Sequence, residues 1–174
     1  MIAALGCLAL ALLILTTAGL PPRNGTLLLP GKTPVAAEVS ALAPDIEAFD
    51  IQDRRFSLTA LRGTPLIINF WATWCAPCVV EMPLLQSAHE QYPELRLVGI
   101  NVAEPRVQVI NWARQYGITY DLLIDGDGRL GYNYMVRALP MTIFVAGDGT
   151  IRQIVNGTLS EDQLNSEITA LIAR

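Results

Sequence analysis

Cys75 and Cys78 stand three positions apart, with Ala76 and Pro77 between them. On a helix that begins here, the first sulfur sits at the N-terminus and the second lies one turn further in. The two thiols are then unequal. Unpaired backbone N–H groups and the positive end of the helix dipole favour thiolate at Cys75, which lowers its pKa and raises the fraction able to attack a disulfide. Cys75 therefore reads as the nucleophile. Once it has formed a mixed disulfide, Cys78 is close enough to attack the Cys75 sulfur and release the partner. Pro77 suits the first helical turn, where a missing N–H costs nothing, and Trp71 and Trp74 can wall the site. A purely structural disulfide is a weaker account, because a ring enclosing two residues removes little unfolded-state entropy. A metal site needs more ligands, and the remaining candidates are Cys7 in an apolar run and His89, the only histidine. His89 reads as a solvated or half-buried helix residue.

The elements that would position this pair follow from hydrophobic patterning. Leu66 to Ala72 is a continuous apolar run, the pattern of a strand buried on both faces, and it delivers the chain to the cysteines at its C-terminal end. A helix is expected from about Ala76 to Tyr92, bent near Pro83. Before these, IEAFDI and RFSLTAL suggest a hairpin, with a turn at Gly63 to Pro65. After them, Leu95 to Val102 reads as a second buried strand. Val109, Trp112, Ala113 and Tyr116 then give a helical period behind Pro105. ITYDLLI reads as a strand and Arg129 to Met135 as a short helix. MTIFVA and TIRQIV read as two strands around the turn Gly147-Asp148-Gly149. Ser160 and Gln163 have capping-box spacing before a helix whose apolar face is Leu164, Ile168, Leu171 and Ile172. Alternating strands and helices that end in a hairpin and a helix indicate an α/β sheet covered on both faces.

Met1 to Leu20 carries no charged side chain, and twenty helical residues span about 30 Å, the thickness of a hydrocarbon core. Residues 1–20 are therefore expected to be a transmembrane anchor, with an N-terminal signal peptide as the alternative, since Thr16 to Gly19 are small. Residues 21–43, rich in Pro, Gly, Ala and Thr, read as a tether, and residues 44–174 as one domain. A formal net charge of -4 without a Lys/Arg cluster argues against a nucleic-acid partner. The Asp125-Gly126-Asp127-Gly128 run places Arg129 where a calcium loop needs an oxygen ligand, so it reads as a turn.

With these residues on view, NFWATWCAPCVVEMP, Asn69 to Pro83, resembles the active-site region of membrane-anchored thioredoxin-like proteins of the ResA and TlpA type. The likeness continues through GINVAE, QYGITYDLLID, ALPMTIFV and VNGTLSEDQL, so that it covers the chain from Pro44 to Arg174. It implies a thioredoxin-like fold, a central mixed sheet with helices on both faces. It also implies a cis-proline at Pro140 facing the cysteines, with the Leu139 backbone pairing to an extended client segment. Glu81 corresponds to a glutamate that the family places near the sulfurs for proton transfer. The spacing agrees, since positions 78 and 81 share a helix face and a partly buried carboxylate there would have a raised pKa. Asn69 stands where ordinary thioredoxins have an aspartate, which shifts the proton-transfer role toward Glu81. Met141 and Thr142 stand where the family often has two threonines.

The resemblance implies a protein-disulfide reductase outside the cell membrane that opens client disulfides such as those of apocytochrome c. It would use no bound cofactor and would draw electrons from a membrane thiol-transfer protein. Two other classes remain as alternatives. A peroxiredoxin-like peroxidase needs Pro and Thr or Ser where this chain has Ile68 and Ala72. A copper-binding chaperone typically uses CxxxC spacing and a further histidine. The same CxxC framework serves reductants and oxidants, so the sequence leaves the direction of electron flow open.

Overall fold

The computed structural model describes residues 37–173, and the expected anchor and most of the tether lie outside them. The run Leu66–Trp71 forms β3, buried at every position and central in a five-stranded sheet. Its neighbours are β4 (Arg96–Val102), which runs parallel to it, and β6 (Met141–Val145), which runs antiparallel. Outside these lie β5 (Asp121–Asp125), parallel to β4, and β7 (Ile151–Asn156), antiparallel to β6. The order β5-β4-β3-β6-β7 is that of a mixed sheet. A separate hairpin, β1 (Glu47–Phe49) and β2 (Arg55–Ser57), precedes it. RFSLTAL divides, because its second half turns into a 3-10 helix at Leu58–Leu61 that buries Leu58.

Among the described residues there are four α-helices, α1 (Ala76–Gln91), α2 (Arg106–Tyr116), α3 (Arg129–Asn133) and α4 (Glu161–Ile172), the last following the final strand. α2 ends at Gly117, whose φ of 65° is the left-handed conformation that closes a helix without a Cβ clash. The Ser160 hydroxyl accepts from the Gln163 N–H at 3.2 Å and caps α4. The strand expected to begin at Ile118 begins at Asp121, after a turn that follows Gly117.

Alternation along the strands builds two cores. Ile67, Trp71, Leu97, Leu122 and Phe144 face one way and are covered by α1, α2 and α4 through Met82, Leu85, Val109, Ala113, Leu164 and Ile168. Leu66, Ile68, Phe70, Val98, Ile100 and Ile143 face the other way. There the cover is the short α3, the hairpin and the 3-10 helix, through Leu130, Tyr134, Ile46 and Leu58. Helices do lie on both faces, but the three long ones share one. The second face is closed by shorter pieces, among them Tyr134, whose ring lies 5.2 Å from that of Phe70 and whose hydroxyl donates to the Pro44 carbonyl.

The domain also begins earlier than Pro44. Ser40 N–H donates to the Ile151 carbonyl at 2.8 Å, Ile151 N–H donates back to Ala41 at 2.8 Å, and Ala43 N–H donates to Gly149 at 2.9 Å. Ala43 is buried in the second core. A run of Ala, Val and Ser reads as tether by composition, yet it covers the start of β7 and satisfies backbone groups that an edge strand leaves open. Among the described residues, no helix is long and apolar enough to cross a membrane.

Candidate active site

β3 ends at Trp71, and the chain makes a tight turn before α1, with Cys75 N–H donating to the Ala72 carbonyl at 3.2 Å. Cys75 caps α1: its sulfur accepts from the Cys78 N–H at 3.3 Å. The cap places Cys75 at the positive end of a 16-residue helix, the placement that favours a thiolate. Cys75 and Cys78 are joined as a disulfide with an S–S distance of 2.02 Å. Both are buried or nearly so, Cys78 wholly. Pro77 lies in the first turn of α1, exposed, where no intrahelical N–H is missed.

The two tryptophans part company. Trp74 is 71% exposed beside Cys75. Trp71 is wholly buried, its ring 4.9 Å from that of Trp112, and so supports the site from beneath rather than walling it. The Leu139–Pro140 peptide bond is cis, Leu139 is half-buried, and the pair precedes β6, next to β3 in the sheet.

Glu81 is one turn beyond Cys78 on the buried side of α1, with 2% of its surface exposed. Its Oε1 accepts from Asn69 Nδ2 at 2.9 Å and its Oε2 from the Leu159 N–H at 3.0 Å. The same Asn69 amide nitrogen donates to the Thr142 hydroxyl at 3.0 Å. Burial pushes the Glu81 carboxyl above its ordinary range, and the bonds from Leu159 and Asn69 pull the other way. A carboxyl whose pKa is raised holds its proton further up the pH scale than an exposed one, which brings its affinity for a proton closer to that of a thiol. The structure thus joins Glu81, Asn69 and Thr142, residues far apart in sequence, into one buried polar cluster under the CxxC helix.

Sequence reasoning missed Leu159 as a Glu81 partner, since a backbone N–H leaves no residue signature. It also missed a second buried carboxylate. Glu104, just beyond β4, is nearly inaccessible and takes four donors: Thr73 N–H at 2.7 Å, Thr73 hydroxyl at 2.5 Å, Asn101 Nδ2 at 2.7 Å and Gln108 Nε2 at 2.7 Å. His89 is half-buried on α1, its ring edge-on to Tyr120 at a centroid distance of 6.1 Å. It lies eleven residues beyond Cys78, about 16 Å along the helix, too far to serve the sulfurs. In the Asp125-to-Gly128 run, the Asp125 carboxylate accepts from Leu130 and Gly131 N–H groups at 2.8 Å, so it opens α3 as a turn.

Comparison with known proteins agrees with this geometry. Residues 39–154 match the AhpC/TSA family. The thiol-disulfide oxidoreductase ResA of Geobacillus thermodenitrificans is 32% identical over 142 residues, covering 80% of each chain. ResA of Bacillus subtilis is 30% identical over 125 residues, 71% of this chain and 70% of that one. Among solved structures, a secreted Mycobacterium tuberculosis disulfide oxidoreductase homologous to Escherichia coli DsbE superposes with a TM-score of 0.68 at 28% identity, covering 72% of this chain and 96% of its own. StoA of Bacillus subtilis superposes with a TM-score of 0.63 at 25% identity, covering 74% and 98%. A CxxC disulfide at the N-terminus of a helix, on a thioredoxin-like sheet and in a chain of this likeness, performs thiol-disulfide exchange on disulfide-bearing client proteins. The chain belongs to the AhpC/TSA family and, within it, to the ResA-type thiol-disulfide oxidoreductases.

Proposed function

We propose that the protein is an extracytoplasmic reductase of client disulfides, held to the membrane by Met1 to Leu20, with apocytochrome c as the client. The observation that carries the exchange chemistry is the buried Glu81 carboxyl one turn beyond Cys78, placed to pass a proton to or from the resolving thiol, and the reductive direction follows from the resemblance to ResA-type proteins. In the reduced protein the Cys75 thiolate attacks a client sulfur. A Cys75–client disulfide forms and the client's other sulfur leaves as a thiolate, taking a proton from solvent. Cys78 then gives its proton to the Glu81 carboxylate and attacks the Cys75 sulfur; the client's second sulfur leaves as a thiolate and takes that proton from Glu81, so that the client departs as a dithiol and the Cys75–Cys78 disulfide remains. Trp74 and Pro77 offer the apolar rim for the client, and the Leu139 backbone beside cis Pro140 pairs with its extended chain. Electrons return from a membrane thiol-transfer protein, since cytosolic thiols cannot cross a bilayer.

The location rests on the uncharged opening run and on the likeness to membrane-anchored relatives. The peroxidase alternative is weaker, because Ile68 and Ala72, where a peroxide site would need Pro and a hydroxyl, are both buried and apolar. A Cys78→Ala variant expressed in cells with c-type cytochromes is expected to accumulate a mixed disulfide with apocytochrome c, visible as a reductant-sensitive band. The wild-type reduction potential is expected to fall below about -220 mV, toward the thioredoxin end of the range. A value near -120 mV would make the protein a disulfide donor and sink this reading.

A further inference from the structure

The turn that carries Cys75 is held from outside the CxxC helix. Thr73 lies between Ala72 and Trp74 in the turn closed by the Cys75 N–H. Both of its free polar hydrogens, the backbone N–H and the hydroxyl, go to one carboxylate, Glu104, on the loop after the neighbouring strand β4. The clamp is redundant. Gln108, in the first turn of α2, donates from one amide nitrogen to both the Thr73 hydroxyl and Glu104, each at 2.7 Å. Asn101, near the end of β4, completes the set from below. The chain also accepts an unfavourable backbone to aim the carboxylate: Ala103, just before Glu104, has a φ of 58°, a region that residues with a Cβ seldom occupy. A nearly inaccessible carboxylate with two donors on each oxygen, reached through a left-handed alanine, is over-determined for a surface loop.

We propose that Glu104 is a positioning residue for exchange at Cys75. Through Thr73 it fixes the Ala72–Cys75 turn, so that the Cys75 sulfur stays over the Cys78 N–H and Trp74 stays presented to the client when the disulfide opens. In the present structure the disulfide itself helps to hold Cys75 against Cys78. Once it is reduced that restraint is gone, and the turn depends on what grips it from β4 and α2. A Cys75 sulfur that drifts from the N-terminus of α1 loses the interaction that favours its thiolate. Glu104 touches neither sulfur in this arrangement and acts through Thr73 alone. The inference rests on exchange at Cys75 and is independent of which client or compartment the protein serves.

The test uses the full-length chain, reduced, reacting with glutathione disulfide as probe over a range of pH, with thermal unfolding of each variant alongside. Glu104→Gln and Thr73→Val are each expected to slow the reaction about tenfold at neutral pH and to move the midpoint of the pH profile upward by about half a unit or more. Thr73→Ser, which keeps both donors, is expected to retain the wild-type rate and profile. The double variant should be little slower than Glu104→Gln alone, because the hydroxyl lost in Thr73→Val is one of the two groups through which Glu104 grips the turn. If Glu104→Gln does not fold, Thr73→Val, a near-isosteric change, carries the test by itself. Variants that melt earlier yet keep the wild-type rate and pH profile would overturn the proposal, as would slowing that multiplies in the double variant. A wild-type chain inert to glutathione disulfide would overturn the exchange reading beneath it.

Discussion

The Glu81 side chain meets two opposed demands. Burial favours its neutral form, while Asn69 Nδ2 and the Leu159 N–H both donate to it and favour the carboxylate. Desolvation prevails, so the folded-state pKa lies above the ordinary 4.5. Burial raises the pKa of Tyr120, which lies on the same side of the sheet, and the Glu81 charge adds to that rise. The sign of the stability effect follows. A raised folded pKa means that the native state holds the proton more tightly than the unfolded state does. Its stabilising contribution is complete below the unfolded value and is lost as pH rises through the folded value. Relative to Glu81→Gln, the wild type is therefore expected to be most stable in acid and to lose ground steadily toward neutrality, read from urea midpoints at several pH values. Parallel curves would mean that burial does not shift this group. In the exchange assay the same variant is expected to be slower by about a hundredfold, the usual scale for a lost proton-transfer group.

At the scale of elements, the entry to α4 bears on the site. Leu159, which donates to Glu81, immediately precedes Ser160, whose hydroxyl caps the helix. Ser160→Ala removes that cap and is expected to cost about 1 kcal/mol of stability. Because the first turn of α4 and the Leu159 N–H are consecutive, the variant should also speed hydrogen exchange at the Leu159 amide; an unchanged amide there would show that Glu81 alone holds it. The cap was legible in the sequence because Ser160 and Gln163 are local to one another. So were β3, from its unbroken apolar run, and the placement of Cys75 at a helix start. Other features were not legible, for identifiable reasons. Helical periodicity shows that α2 and α4 each have an apolar side, but not which face of the sheet receives it. RFSLTAL keeps an apolar pattern that a strand and a 3-10 turn share, so its division after Ser57 was hidden. Glu81 was found through the family resemblance, with its one-turn spacing from Cys78 in agreement. Glu104 and Thr73 are 31 positions apart, and no local pattern links them.

Over the whole molecule, the N-terminal boundary decides how the sheet ends. β7 is an edge strand, and such edges expose unpaired N–H and C=O groups. Ser40 to Ala43 cover its beginning with three backbone hydrogen bonds, to Ile151, from Ile151 and to Gly149, and bury Ala43 against the second core. Each such bond contributes about 1 kcal/mol net, and ordering the segment offsets part of the sum. A fragment starting at Pro44 keeps the Pro44 carbonyl that accepts from Tyr134, but loses all three bonds. It is expected to be less stable than one starting at Ala37 by about 1–3 kcal/mol, the ordinary range for losing a few native contacts. Urea midpoints at equal m would show it, together with faster hydrogen exchange at the Ile151 amide, whose partner Ala41 is gone. The shorter fragment should also self-associate more readily through the uncovered edge, which light scattering would detect. Equal midpoints and an equally protected Ile151 would mean that Ser40 to Ala43 rest on β7 without net gain, and that Pro44 is the energetic start of the domain.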